Sequence, residues 1–145
     1  MKKAANCIKI TFPGYSKNES LARMCAAALA AQLDPTVEEI SDIKAAVSEA
    51  VTNCIVHGYR DTIGDRDMKM KILDDDTLYI KITDKGTGIE DVEQAMQPLF
   101  TTCPEGERAG LGFAVMESFT DKLRVKSAPG KGTSVTMIKQ VCRRG

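Results

Sequence analysis

The chain has no net charge. Its 145 residues carry 20 Lys+Arg against 20 Asp+Glu. That balance argues against a nucleic-acid binder working by bulk electrostatics, and against a polybasic protein held at a membrane surface. There is no apolar run near the roughly 20 residues of a membrane-spanning helix. Nor does an apolar stretch of signal-peptide length follow Lys2 and Lys3, where Ala4-Ala5-Asn6-Cys7 stands instead. Paired cysteine motifs are missing as well. Cys7, Cys25, Cys54, Cys103 and Cys142 are scattered and odd in number, with no CxxC. Neither a zinc site nor a disulfide framework is indicated, and free thiols in a reducing cytoplasm are expected. Repeats, low-complexity tracts and Pro/Gly-rich linkers are all absent. With 43% hydrophobic and 28% charged residues, residues 1–145 are expected to form one globular domain.

Two periodicities are present. Ile8, Ile10 and Phe12 alternate with other residues, as do Met68, Met70 and Ile72, then Leu78, Ile80 and Ile82, then Leu123 and Val125, and finally Val135 and Met137. Five segments of period two, each apolar on one side, predict strands of a sheet covered on one face. Asp74-Asp75-Asp76-Thr77 separates two of them at hairpin distance. Helical segments are expected at about 17–33, 36–58 and 110–119, with Pro35 ending the first and opening the second. The fold class is α+β: a two-layer sandwich with helices on one face of a mixed sheet of about five strands. Residues 93–109 fit neither period, and their Pro, Gly and charge content reads as a lid over a site.

Four short patterns carry chemical potential. On the second helix, Glu49 and Asn53 are four apart and share a face on the edge away from the apolar stripe of Ile40, Ile43, Val47, Ala50, Val51 and Cys54. Glu49 offers a carboxylate, and Asn53 an amide oxygen suited to a hard cation such as Mg²⁺. Asp84-Lys85-Gly86-Thr87-Gly88 follows a strand. There a carboxylate can accept a hydrogen bond from an exocyclic amine, and the glycines let backbone approach a ligand. Gly110-Leu111-Gly112 opens a helix, where free N–H groups suit a phosphate. Gly130-Lys131-Gly132-Thr133 enters the last strand. Taken singly, each also reads as ordinary structure: two solvated helix residues, a strand-ending turn, a glycine-rich helix start and a hairpin turn.

Common nucleotide motifs are absent. Val125 stands where GxxxxGK[ST] needs its first glycine, and Asp91 where a Rossmann fingerprint needs its third. His57, the single histidine, reads as a helix-end residue.

Together, in this order, Glu49xxxAsn53, Asp84xGly86xGly88, Gly110xGly112 and Gly132-Thr133 resemble the Bergerat-type ATP-binding fold of gyrase, the Hsp90 chaperone, sensor histidine kinases and MutL. Within it, Val47-Ser48-Glu49-Ala50-Val51-Thr52-Asn53, Ile55-Val56-His57-Gly58-Tyr59, Gln97-Pro98-Leu99-Phe100-Thr101-Thr102 and Glu107-Arg108-Ala109-Gly110-Leu111-Gly112-Phe113 are similar to the anti-sigma serine kinases, closest to their sporulation branch.

The resemblance covers nearly the whole chain, and it implies the following. Asn53 holds Mg²⁺ and Glu49 is the general base. Asp84 reads the adenine amine of ATP or ADP, with Gly86 and Gly88 beside it and Thr133 assisting. Thr101, Thr102, Arg108, Gly110, Leu111 and Gly112 line the phosphates. Arg23 touches the protein partners. Those partners are a sigma factor and an anti-anti-sigma protein phosphorylated on serine, and the family forms a homodimer; neither direct nucleic-acid contact nor a membrane is implied. Cys103 departs from the family, standing where a basic residue is expected after Phe-Thr-Thr. Two alternatives remain at this point: a sigma-binding regulator shaped by nucleotide without kinase activity, and an ATPase of the gyrase or chaperone kind. The second would need further domains to couple hydrolysis to motion.

Overall fold

A computed structural model of the chain describes residues 4–57, 64–84, 112–128 and 132–141. Strand β1 (Ala4–Pro13) leads into helix α1 (Asn18–Ala30), which tightens into a 3-10 turn at Ala31–Leu33. Asp34 then takes a left-handed conformation (φ 52°), which ends the helical path before Pro35. Helix α2 (Val37–His57) begins with a reciprocal cap. Glu39 N–H donates to Thr36 Oγ1 at 2.9 Å, and Thr36 N–H donates to Glu39 Oε1 at 2.8 Å. Strands β2 (Asp65–Leu73) and β3 (Thr77–Asp84) form the expected hairpin, turned by Asp76 at φ 65°. Helix α3 (Gly112–Phe119), β4 (Lys122–Ala128) and β5 (Gly132–Gln140) complete the described elements.

The sheet order is β1-β2-β3-β5-β4. The sequence reading allowed a mixed sheet; all four described pairings are antiparallel. β2–β3 and β4–β5 are joined by short links, which only antiparallel neighbours permit. α2 packs against α1, α3 and β3, so it is the central rod of the helical layer.

The two faces of the sheet differ sharply. Met68, Met70, Ile72, Leu78, Ile80, Ile82, Val135 and Met137 point to the helices and are buried with Ala46, Val47, Ala50, Val51 and Met116. The other face places Lys9, Lys69 and Lys81 directly opposite one another across three strands. Opposed like charges cost stability, but they keep this face wet and discourage sheet stacking. Net neutrality therefore hides a segregation of charge.

Candidate functional site

At the end of the sheet where β3 finishes, the register aligns four polar side chains in one row across four strands. Arg66 on β2 faces Asp84 on β3, Asp84 faces Thr133 on β5, and Thr133 faces Ser127 on β4. Thr133 Oγ1 and Ser127 Oγ hydrogen-bond at 2.8 Å. Gly132, just before Thr133, sits at φ 86°, a conformation that strongly favours glycine. Asp84 is only 4% exposed and Arg66 only 1%.

The last turn of α2 reaches the same place. Arg66 Nη2 donates to the carbonyl of Cys54 at 3.1 Å and to that of Ile55 at 3.4 Å, and Nη1 donates to Gly64 O. The cation thus satisfies carbonyls that a helix end leaves without intrahelical partners, and it sits at the negative end of the helix dipole. The Cys54 thiol lies near Asp84 and Arg66, whose opposite charges act on it in opposite directions. Burial first, and the Asp84 charge second, push that thiol up to about 12, so it stays protonated at neutral pH.

Asn53 immediately precedes Cys54 and is half-buried; Glu49, one turn earlier, is 7% exposed. The sequence reading set both on an edge of α2 away from the core. For Glu49 this is corrected, because α2 has helices on both flanks and the edge of its apolar stripe is roofed as well. Asn53 and Glu49 supply oxygen donors of the kind Mg²⁺ takes when it binds through one or two protein ligands plus phosphate oxygens and water. Among the described residues, no group of three or more His, Cys, Asp or Glu side chains is placed to hold a metal by itself. One amide and one carboxylate suit a metal that arrives with a nucleotide, whose phosphate oxygens and waters take its other positions.

Asp84 and Thr133 thus stand at one end of the sheet, tied through Arg66 to the last turn of α2, with Asn53 one residue and Glu49 five residues before Cys54. Gly112 is the first residue of α3, as expected of a helix-opening glycine. Gly86, Gly88, Thr101, Thr102, Arg108, Gly110 and Leu111 lie outside the described residues, as do Cys103 and the segment read as a lid. Arg23 lies apart from the row. Its Nη1 pairs with Glu19 Oε1 at 3.0 Å on α1, and Glu19 accepts from Ser48 Oγ on α2. Beside it, Leu21 and Met24 are more than half exposed. Among the described residues, no helix is long and apolar enough to cross a membrane.

Arg66, Ser127 and Gly14 were missed from the sequence, and Cys54 was read only as a member of the apolar stripe of the second helix, where it is buried. An added Cβ on Gly14 would overlap Nη1 and Cζ of Arg66 and lie 2.9 Å from Nε. One signal was available for Arg66: it falls in phase with Met68, Met70 and Ile72, on the buried side of its strand.

Comparison with known proteins agrees with this architecture. Residues 14–139 match the histidine kinase-like ATPase domain. The chain is 58% identical over 138 residues to an anti-sigma F factor of Caldanaerobacter subterraneus subsp. tengcongensis, covering 95% of this chain and 96% of that protein. It is 49% identical to the anti-sigma F factor of Clostridium acetobutylicum (93% and 94% covered) and 47% identical to that of Bacillus licheniformis (95% and 94%). Among solved structures, the RsbU and RsbW domains of a Mycobacterium tuberculosis protein share the fold, with a TM-score of 0.70 at 20% identity over 97% of this chain and 34% of that one. The mycobacterial sensor histidine kinase MprB shares it at TM-score 0.57 and 15% identity, over 94% of this chain and all of that one. The chain belongs to the anti-sigma F factor family within the histidine kinase-like ATPases.

Proposed function

We propose that this single-domain protein is a nucleotide-dependent anti-sigma factor and protein serine kinase. It captures a sporulation sigma factor and, with Mg-ATP, transfers the γ-phosphoryl group to a serine of an anti-anti-sigma protein. The observation that carries the reading is the meeting of Asp84, buried at the end of β3, with the last turn of the helix bearing Glu49 and Asn53. On this reading Asp84 is the base-reading carboxylate, and the helix whose end meets it carries the metal-binding amide and the second carboxylate.

Phosphoryl transfer depends on placement and charge neutralisation more than on covalent help. The Asp84 carboxylate accepts a hydrogen bond from the adenine amine, with Thr133 beside it, and so fixes the base. Asn53 holds Mg²⁺, which when bound neutralises phosphate charge. The Glu49 carboxylate takes the proton of the incoming serine hydroxyl. The free N–H groups at Gly112, the start of α3, take the phosphates, with Gly110 and Arg108 assisting. Arg23 and the exposed Leu21 and Met24 beside it serve protein partners. The active unit is a homodimer in the cytoplasm.

The test is transfer of label from γ-labelled ATP and Mg²⁺ to candidate anti-anti-sigma proteins. Labelling on serine is expected. Sigma capture without any transfer would replace the kinase by a nucleotide-shaped regulator.

A further inference from the structure

The face of the sheet turned away from the helices carries a charge pattern that neither the core nor the nucleotide site calls for. Its central row runs Lys9, Lys69, Lys81, Thr136, Arg124 across β1, β2, β3, β5 and β4. The row on one side adds Lys71 and Lys122, and the row nearer Asp84 adds Lys126. These three rows hold seven cations and one carboxylate, Asp67, which accepts from Thr11 Oγ1 at 2.7 Å. Among the described residues, no carboxylate pairs with a cation of the central row. Lys9, Lys69 and Arg124 are exposed and Lys81 is half-buried. Neighbouring strands stand about 4.8 Å apart, so Lys9, Lys69 and Lys81 repel one another at the expense of stability.

The chemistry of the face narrows what can cover it. A second copy docked face to face would set the lysine rows against each other. No exposed large apolar side chain stands in these rows to enter a lipid surface. Tyr79, the one aromatic in them, has Lys71 Nζ over its ring at 5.1 Å from the centroid, so there is no open platform for stacked bases. Carboxylates remain. On a helix, side chains three or four residues apart stand about 5–6 Å from one another, close to the spacing of the lysine row.

We propose that the open face of the sheet is a docking surface for an acidic helix of a partner protein, laid across the strands so that carboxylates of successive turns meet Lys9, Lys69 and Lys81. The surface is on the far side of the sheet from α1, whose Ala22, Ala26 and Leu29 face the core, and so is separate from Arg23 and the exposed Leu21 and Met24. It does not depend on the reading of the nucleotide site.

The experiment measures fluorescence anisotropy of a labelled helical peptide with glutamates on one face, titrated with the full chain. The proteins are the parent, Lys69→Glu and, as an equal charge change off the sheet, Lys17→Glu. The parent is expected to bind the peptide, more weakly as salt rises, and to bind a peptide of the same composition with its glutamates spread round the helix less well. Lys69→Glu should cut affinity by roughly fivefold or more at low salt, and Lys17→Glu should not. Because Lys69→Glu turns two like-charge cross-strand pairs into opposite-charge ones, its melting temperature should rise, so the loss cannot come from unfolding. ATP affinity should be the same in all three. Absence of peptide binding by the parent, equal affinity for the two peptides, or an equal loss in Lys17→Glu would overturn the proposal. So would tighter binding of a thymidine oligonucleotide or of phosphatidylserine vesicles that Lys69→Glu abolishes, which would give the face to a nucleic acid or a membrane instead.

Discussion

Replacing Gly14 by alanine adds one methyl group to a buried loop position, and its cost follows from what that methyl would meet. Gly14 is not at positive φ, since Gly132 alone among the described glycines is. The backbone therefore accepts alanine, and in open space the change would stabilise by about 0.4–1 kcal/mol through the unfolded chain. Here the new Cβ would overlap the Arg66 guanidinium. The end of a long side chain can usually swing aside at little cost, but this one is 1% exposed and holds the carbonyls of Cys54, Ile55 and Gly64. Overpacking costs about 1–3 kcal/mol, and loosening one charge-assisted hydrogen bond about 1.5–3 kcal/mol, so Gly14→Ala should destabilise by about 2–4 kcal/mol. For a domain of this size that is a fall in melting temperature on the order of 6–16 °C. The assay is urea and thermal unfolding followed by far-UV circular dichroism, with Arg66→Val and the double variant alongside. In the Arg66→Val background the obstacle is gone, and Gly14→Ala should become neutral or slightly stabilising. A cost below about 0.5 kcal/mol, or the same cost in both backgrounds, would refute the reasoning.

Four further perturbations test other parts of the molecule. Cys54 ionises near 9 when unfolded and near 12 when folded, so the folded state holds the extra proton between these values. Its contribution to stability is complete below pH 9 and is lost towards pH 12, by up to about 1.4 kcal/mol per pH unit. Cys54→Ala should remove that alkaline slope, and a thiol reagent at neutral pH should label exposed Cys7 long before Cys54; equal labelling rates would sink the claim. Asp84→Ala should weaken ATP binding about ten- to a hundredfold, measured by titration. Glu49→Gln should keep Mg-ATP binding and lower single-turnover phosphate transfer by about 10²–10⁴-fold, and transfer at the parent rate would show that Glu49 is not the base. Arg23→Ala should weaken capture of both protein partners in a pull-down and leave ATP affinity alone.

The sequence was legible where periodicity or order along the chain carried the information. Alternating apolar residues located the five described strands, and Pro35 marked the break between the first two helices, where the structure places the left-handed Asp34 and the Thr36–Glu39 cap of α2. Asp84 and Thr133 were paired through motif order alone, and the register sets them directly opposite each other. What stayed hidden depended on which strands are neighbours. Nothing local to Thr133 points to Ser127, and nothing local to Gly14 points to Arg66, 52 positions along the chain. Glu49 was set too near solvent because a helical wheel knows its own stripe and not the helices packed on either flank. Antiparallel pairing throughout is what one-sided period-two strands favour, since strands of parallel sheets, buried on both faces, read as near-continuous apolar runs; expecting a mixed sheet gave that signal too little weight.

The placement of the proposed chemistry on regular elements has a physical reason. A reaction that relies on position gains from groups whose own freedom has already been spent in folding. α2 is fixed at both ends: Thr36 and Glu39 close its first turn, and Arg66 holds the carbonyls of its last. Between these anchors it is packed on the sheet through Ala46, Val47, Ala50 and Val51. Glu49 and Asn53 therefore ride on a rod that cannot slide or turn without breaking a cap or opening the core. Asp84 is on β3, which has strands on both sides and is hydrogen-bonded along its whole length. The relative position of carboxylate, amide and carboxylate is thus set by the most stable parts of the domain, where local opening is rarest. The glycine-rich runs bearing Gly86, Gly88 and Gly110 are joined to these fixed elements, directly after β3 and directly before α3. The groups proposed to read the base, hold the metal and take the proton therefore sit on elements whose positions the fold has already set.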